Sequence, residues 1–422
     1  VTATTAARPR LRVLVSAYHC APTGGPEAGA GWAFVTAAAR THDVWVVCRD
    51  RFVPSIEEAL RTDPALAAHL HVVPLDPPAW VVRSLRRSWD VYWFYLLWQL
   101  LLARTARRLH AEVGFDVAHH VTFANDWMPC GLTALHDVPL VWGPVGGASR
   151  VPFWRLRRWL GLHGVLTEVT RETVLRLPRR LWGDRTARRA AVVVAQNHDV
   201  GRRFERQGAV VVEPNAALDL AELPRRRPPE PGEAPRALVV ARLIPWKGAA
   251  LALRALATPA LAAWRLDIYG DGPLRARLET EADALGIADR VRFHGHRPRT
   301  EVLEAMAAAT VLLFPSMHDQ AGWAVAEASS IGVPVVCLPL GGPPILAGRN
   351  LFEASLHGDL VVSIARQVER AARTGGRPHD RWSRERLPGL VDDWYRRAGS
   401  SRRPPAPPST AAIAGGRPGA AS

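Results

Sequence analysis

The sequence predicts an α/β fold of two doubly wound, Rossmann-like domains facing a central cleft. Three observations carry this expectation. Short β-branched runs alternate with longer helical patterns along the chain, the signature of parallel sheets covered by helices. The runs fall into two series, separated by the Pro-rich joint "PRRRPPEPGEAPR" at 224–236. A chain of 422 residues also has the material for two or three cores.

In the first series the expected strands are 11–17, 44–48, 70–74, 116–121, 139–143, 191–195 and 209–214. In the second they are 236–241, 265–270, 290–295, 311–315 and 333–338. The first domain is therefore set at 1–214 and the second at 215–381. The stretch "WSRERLPGLVDDWYRRAG" at 382–399 reads as a terminal helix that rejoins the first domain. Residues 400–422, poor in large apolar side chains, read as a disordered tail. In sheets of this kind ligands bind outside the carboxyl ends of the strands, at the point where the strand order reverses. With two such domains, the site belongs in the cleft.

Composition narrows the surroundings. The longest apolar run, "VYWFYLLWQLLLA" at 91–103, falls short of the ~20 residues a spanning helix needs and predicts a buried or interfacial helix. Cys20, Cys48, Cys130 and Cys337 show no metal-ligand spacing and read as free thiols in a reducing cytoplasm. The opening "VTATTAARPRLRVLVSAY" passes from a short polar lead into a strand, without a signal-peptide pattern. These features predict a cytoplasmic protein.

The net charge is +15, and 53 of the 54 Lys and Arg residues are arginine. Arg clusters at 83–89, 155–160 and 179–191 lie in the half of the chain that holds 11 of the 16 tryptophans. A solvated Arg-rich surface is one reading, and peripheral contact with an anionic membrane at its inner face is the other. Nucleic acid is not expected as a partner.

The single lysine, Lys247, stands in "ARLIPWKGAALALRALA" at 241–257, a strand end, a loop and a helix. Arg242 and Lys247 thus leave the first strand of the second domain where anions are expected. The planar fork of an arginine grips two phosphate oxygens, and a lysine supplies a compact point charge. Taken alone, a solvated loop pair would serve as well. Next, "LDIYGDGPLRARLE" at 266–279 places Gly270 and Gly272 in a turn where backbone can approach a ligand. Then "PSMHDQAGWAVAEASSIGVPVV" at 315–336 opens a helix at Gly322, whose free N–H groups suit a phosphate or sugar hydroxyl. Asp319 and Glu327 flank that helix start and suit hydroxyls that donate to carboxylates.

In this order the three stretches resemble the second domain of family 4 glycosyltransferases, retaining nucleotide-sugar enzymes of GT-B fold. The similarity covers most of 210–395, where the family's Arg-to-Lys stretch, GDGP turn and Glu-x7-Glu element appear as "ARLIPWKG", "YGDGPL" and "HDQAGWAVAE". The resemblance implies that Arg242 and Lys247 bind the donor diphosphate, Asp319 the transferred sugar and Glu327 the ribose. His294 falls where family members contact the base. Two departures stand out: Asp319 replaces the first Glu, and Ala321-Gly322-Trp323 replaces Gly-Phe-Gly, so Trp323 reshapes the sugar pocket.

In the first domain, "YHCAPTGGPEAGAGWAFV" at 18–35 is similar to a glycine-rich loop of a subset of this family. The similarity implies that Glu27, Gly29 and Gly31 face the donor phosphates and the acceptor. "FDVAHHVTFANDW" at 115–127 stands where the family has a histidine near the transferred sugar. His119 and His120 point to opposite faces of a strand, and His120 is expected to face the cleft. "LVWGPVGGASRVP" at 140–152 resembles a further glycine loop at the cleft.

The expectation is therefore a hexosyltransferase acting with retention, with a nucleotide diphosphate sugar as donor substrate and no cofactor. No D-x-D metal motif occurs in the chain, which predicts metal-independent transfer. The acceptor stays open among a lipid-linked molecule, a glycan and a natural-product aglycone. The contrasting reading is an Arg-rich protein binding anionic membranes or nucleic acid through a decayed transferase site.

Overall fold

The computed structural model describes residues 9–400 apart from 24, 84, 85, 88, 89, 228 and 231. The tail expected beyond Ser400 lies outside the described residues.

The first sheet contains β1 (Arg12–Ala17), β2 (Asp43–Cys48), β3 (Leu70–Pro74), β4 (Val117–Thr122), β5 (Leu140–Val145), β6 (Ala190–Ala195) and β7 (Ala209–Val212). Its order is β3-β2-β1-β4-β5-β6-β7, and every pairing is parallel. The second contains β8 (Arg236–Val240), β9 (Arg265–Tyr269), β10 (Val291–Gly295), β11 (Val311–Phe314), β12 (Val335–Cys337) and β13 (Leu351–Glu353). It too is fully parallel, in the order β10-β9-β8-β11-β12-β13. All the strands read from the sequence are present. The one not foreseen, β13, is a three-residue edge strand, too short to display a period.

Seven helices position the site: α1 (Pro26–Thr41), α2 (Asp90–Val113), α3 (Phe153–Val174), α4 (Ala249–Leu256), α5 (Trp323–Ile331), α6 (Leu360–Thr374) and α7 (Leu387–Ser400). Proline at the start of α1 has no N–H to leave unpaired, and Glu27 in its first turn suits the positive helix end. The apolar run at 91–103 is the first half of α2, which buries Phe94, Tyr95, Trp98, Leu102, Ala106 and Leu109 at three- and four-residue spacing. Among the described residues no helix is long and apolar enough to cross a membrane. The four cysteines are buried and unbridged.

Two helices cross between the domains. The terminal α7 returns to the first domain, where Leu387, Val391, Trp394 and Tyr395 share a core with Phe34, Val117 and Val141. The start of α3 goes the other way. Val151, Leu156 and Leu160 join the second-domain core with Leu251 and Trp264, although their sequence position is in the first domain. Burying each leucine contributes about 1.5–3 kcal/mol, which seats this arm firmly. Gly161, at φ 66°, then breaks α3, and its second half turns back to the cleft.

The strand order reverses between β1 and β4 in one sheet and between β8 and β11 in the other. The four loops leaving these strands face one another, so the topology builds the cleft.

Candidate active site

The cleft holds a cavity of about 1100 Å³, lined from both domains. Its size suits a small organic substrate.

The second-domain wall is built on Lys247. The lysine ends a tight turn, Pro245–Lys247, closed by Gly248 at φ 74°. A Cβ on Gly248 would stand 2.2 Å from the Pro315 carbonyl, so only glycine lets this turn meet the loop after β11. Met317 N–H and the Trp246 carbonyl bond across the junction at 2.8 Å. The Lys247 ammonium donates to the Asp319 carboxylate and lies 5.8 Å from the Phe314 ring centre. Gly322 caps α5 beside them, and Trp323 Nε1–H donates to Asn215 Oδ1 at 3.2 Å. Lys247, Asp319, Gly322 and Trp323 all line the cavity.

Gln320 ties this loop to the first domain. Its Oε1 accepts from Gly147 N–H at 3.0 Å and from Ser149 Oγ at 3.1 Å. Asn197 Nδ2 donates to the Gln320 carbonyl at 3.3 Å. Alongside, His318 meets α3: its Nδ1 is 3.3 Å from Glu168 Oε1 and 2.9 Å from Arg171 Nη1. Burial raises the Glu168 carboxyl, but His318 and Arg171 outweigh it and hold the group below its ordinary value. From the other side, the Asp319 carbonyl accepts from Gly342 N–H at 3.2 Å.

The first-domain wall is aromatic around one carboxylate. Glu27 Oε1 accepts the Phe123 N–H at 2.8 Å. Protein around the cleft raises the Glu27 carboxyl although its side chain opens to the cavity, and the Phe123 N–H pulls it down. Phe123, at φ 57°, is the one non-glycine residue with positive φ among the described residues, a strained conformation of the kind concentrated at functional sites. Tyr92 lies 5.2 Å from Trp127 and 6.4 Å from Phe123 between ring centres. His19, at the end of β1, completes the wall. Burial first, then Arg51 and Arg49, lower its imidazole to about 4, so it is neutral at pH 7.

Several expected site residues lie elsewhere. His119 and His120 do point to opposite faces of β4, but neither reaches the cleft. His120 is buried between Ser16 Oγ and Tyr95 OH, each 3.0 Å away, because α2 covers that face. His119 bonds Tyr395 OH of α7 at 2.8 Å and the Gly143 carbonyl at 2.9 Å. Burial lowers them to about 3 and about 4. The cleft histidines are His19 and His318 instead.

Gly31 lies outside the cavity lining too. A Cβ there would fall 2.1 Å from the His19 carbonyl, so it lets α1 press on the β1 loop. Gly29 lies one turn into α1, outside the cavity lining. Gly270 and Gly272 also lie outside it; their turn braces the Arg242 loop through Leu243 N–H to the Asp271 carbonyl at 2.9 Å. His294 stacks on Tyr269 at 4.3 Å and bonds Asp267 at 2.7 Å. Glu327 is buried and held by Arg299, whose Nε and Nη2 both reach Oε1, at 3.0 and 2.9 Å; burial raises it against that pull. Arg242 is exposed at the end of β8, with no ion pair among the described residues. Among the described residues no three His, Cys, Asp or Glu side chains converge as metal ligands.

The sequence reading missed His19, His318 and Gln320, which line the cavity. Their signal was position: each follows a strand whose carboxyl end faces the cleft.

Two parallel doubly wound sheets, crossed by a terminal helix and an α3 arm and facing a cleft, define a GT-B glycosyltransferase architecture. Solved structures share it over most of the chain. Sucrose-phosphate synthase from Thermosynechococcus elongatus aligns with TM-score 0.57 at 17% identity, over 93% of this chain and 94% of that one. The lipopolysaccharide outer core galactosyltransferase WaaB aligns with TM-score 0.57 at 14% identity, over 92% and 98%. Residues 221–363 match the family described as Glycosyl transferases group 1. The 2-deoxystreptamine glucosyltransferase of Streptomyces kanamyceticus is 30% identical over 294 residues, 68% of this chain and 70% of that protein. The chain belongs to the group 1 glycosyltransferases, and it is an enzyme of that class rather than an Arg-rich binding protein.

Proposed function

We propose that the protein moves a sugar from a nucleotide diphosphate sugar to an acceptor hydroxyl, with retention and without a metal ion. The observation that carries this is the Lys247–Asp319 pair beside the N-terminus of α5, all on the cavity wall. A diphosphate entering there takes the ammonium from Asp319 and meets the free N–H groups at Gly322. Asp319 is then released to accept hydrogen bonds from sugar hydroxyls. Arg242, exposed at the end of β8 and without an ion pair among the described residues, is available to the same charge. A neighbouring fold supports the donor class: an Anabaena protein, aligned with TM-score 0.50 at 16% identity over 91% of this chain and 99% of that one, was solved with UDP and glucose.

Transfer breaks the bond from the anomeric carbon to the β-phosphate oxygen and forms one to the acceptor oxygen on the same face. The acceptor proton goes to the departing phosphate. Charge growing on that phosphate is met by Lys247 and the helix amides, fixed dipoles and charges that need no rearrangement.

The acceptor side is the Tyr92, Phe123 and Trp127 wall around Glu27. Stacking faces beside a carboxylate suit a compact hydroxylated ring bearing an amine. Two relatives carry names of this chemistry, the 2-deoxystreptamine glucosyltransferase above and a 2-deoxystreptamine N-acetyl-D-glucosaminyltransferase of Streptomyces fradiae, 40% identical over 75 residues. We take an aminocyclitol hydroxyl as the acceptor. Proton NMR of the product should show the donor's anomeric configuration preserved, and EDTA should leave the rate unchanged. An inverted product, or activity lost to EDTA and restored by Mn²⁺, would overturn the mechanism.

A lipid-linked acceptor at an anionic membrane is the second reading. One observation favours it: Trp154, Leu162, Leu166, Val174, Leu177 and Leu181 are all more than half exposed along α3 and the segment after it, among arginines. Co-sedimentation with phosphatidylglycerol vesicles, lost in Leu162→Ser/Leu166→Ser, would support this reading; equal recovery with and without vesicles would remove it.

A further inference from the structure

A second cavity, of about 750 Å³, lies away from the cleft, between the two strands of chain that join the domains. One wall is the outgoing connection, with Leu223, Arg225 and Arg226; the other is the return at Pro378–Asp380. Its floor is the C-terminal end of α5, Ser330 and Ile331, with Arg349 at the edge.

Three features mark it as built for a ligand. Arg226 is partly buried, yet it bonds only the carbonyls of Ala307, at 2.6 Å, and Thr310, at 3.4 Å. Among the described residues no carboxylate balances it. Arg225 and Arg349 are exposed and make no ion pair among the described residues. Asp380 is the one acid on the lining, against these three guanidiniums. Around them, beside His379, Leu220, Leu223, Pro224, Ile331 and Pro378 give the lining an apolar part, as small-molecule sites have.

We propose that this cavity is a second ligand site, taking a small organic phosphate whose apolar body lies on Leu223 and Ile331 and whose phosphate meets the arginines. Guanidinium forks pair with phosphate oxygens in parallel hydrogen bonds, which selects phosphate over a neutral molecule of the same shape. A ligand here touches both interdomain connections and the far end of α5, whose other end lies at the donor wall. It therefore binds where the angle between the domains is set. The inference is independent of the proposed transfer reaction.

Phenyl phosphate is the probe, titrated by calorimetry into the full chain, with hydrogen exchange to locate it. Binding should protect peptides covering 220–226 and 377–381 and leave those covering 242–248 and 318–323 unchanged. Arg225→Ala and Arg349→Ala, both surface changes, should each weaken binding about tenfold, and Lys247→Ala should not. Benzyl alcohol should not bind, and inorganic phosphate should bind more weakly. Protection in the cleft peptides, loss with Lys247→Ala but not Arg349→Ala, equal binding of inorganic phosphate, or no binding would each overturn the proposal.

Discussion

Lys247 shows why one lysine stands in a chain of arginines. Its ammonium sits between the Asp319 carboxylate and the Phe314 ring, with the side chain 21% exposed. A planar guanidinium does not fit that gap without moving the loop. Lys247→Ala should cut turnover about 10²–10³-fold, the usual cost of removing one fixed group that faces developing charge. Lys247→Arg keeps the charge and should still lose about tenfold. Steady-state rates with saturating donor check both, and full activity in Lys247→Arg would contradict the geometry. Across the cleft, Glu27→Gln should raise the acceptor KM while leaving donor hydrolysis intact, measured as nucleoside diphosphate release without acceptor.

The residues legible in the sequence were those whose motif also fixes their direction. Lys247, Asp319, Gly322 and Trp323 leave strand ends into one loop layer, so their order in the chain is their order in the cleft. His119 and His120 were not legible in that way. A strand tells that they diverge, but which face opens to solvent depends on α2 and α7, and both faces are covered. Glu327 is a similar case, because its partner Arg299 comes from a separate helix start.

At the scale of elements, the cleft depends on close backbone contacts that side-chain patterns do not reveal. The turn that presents Lys247 rests on Gly248. Gly248→Ala asks for an unfavourable φ and drives a methyl into the Pro315 carbonyl, so it should cost about 1–3 kcal/mol. Activity should fall with it, because the shifted turn carries Lys247 away from Asp319. Chemical denaturation and turnover on the same preparation check this, and wild-type values for both would contradict it. The α3 arm is the other feature beyond the sequence's reach. Its Leu156 and Leu160 carry the spacing of any core helix, and nothing local says that the core belongs to the other domain.

For the whole molecule, two series of strands around a Pro-rich joint were enough to read the architecture, since parallel sheets leave continuous apolar runs. Buried histidines then shape its response to acid. His19, His42 and His119 titrate at about 4 and His120 at about 3, each from an ordinary value of 6.5 and each through burial first. The fold favours their neutral forms, so the unfolded chain binds more protons between these values. Their contribution to stability is complete above pH 6.5 and is lost as pH falls from there towards 4. Melting temperatures between pH 8 and 4.5 should drop below 6.5, with a shallower slope in His42→Asn; identical slopes would contradict the assignment.

The central claim is that the Lys247 wall binds a nucleotide diphosphate sugar. A thermal-shift screen of UDP-, GDP-, ADP- and dTDP-sugars against wild type and Lys247→Ala tests it most directly. A donor at 100 times its Kd stabilises the fold by about 2.7 kcal/mol. One nucleotide series should raise the melting temperature of the wild type and fail with the variant. Equal shifts in both proteins, or none with any donor, would contradict the account.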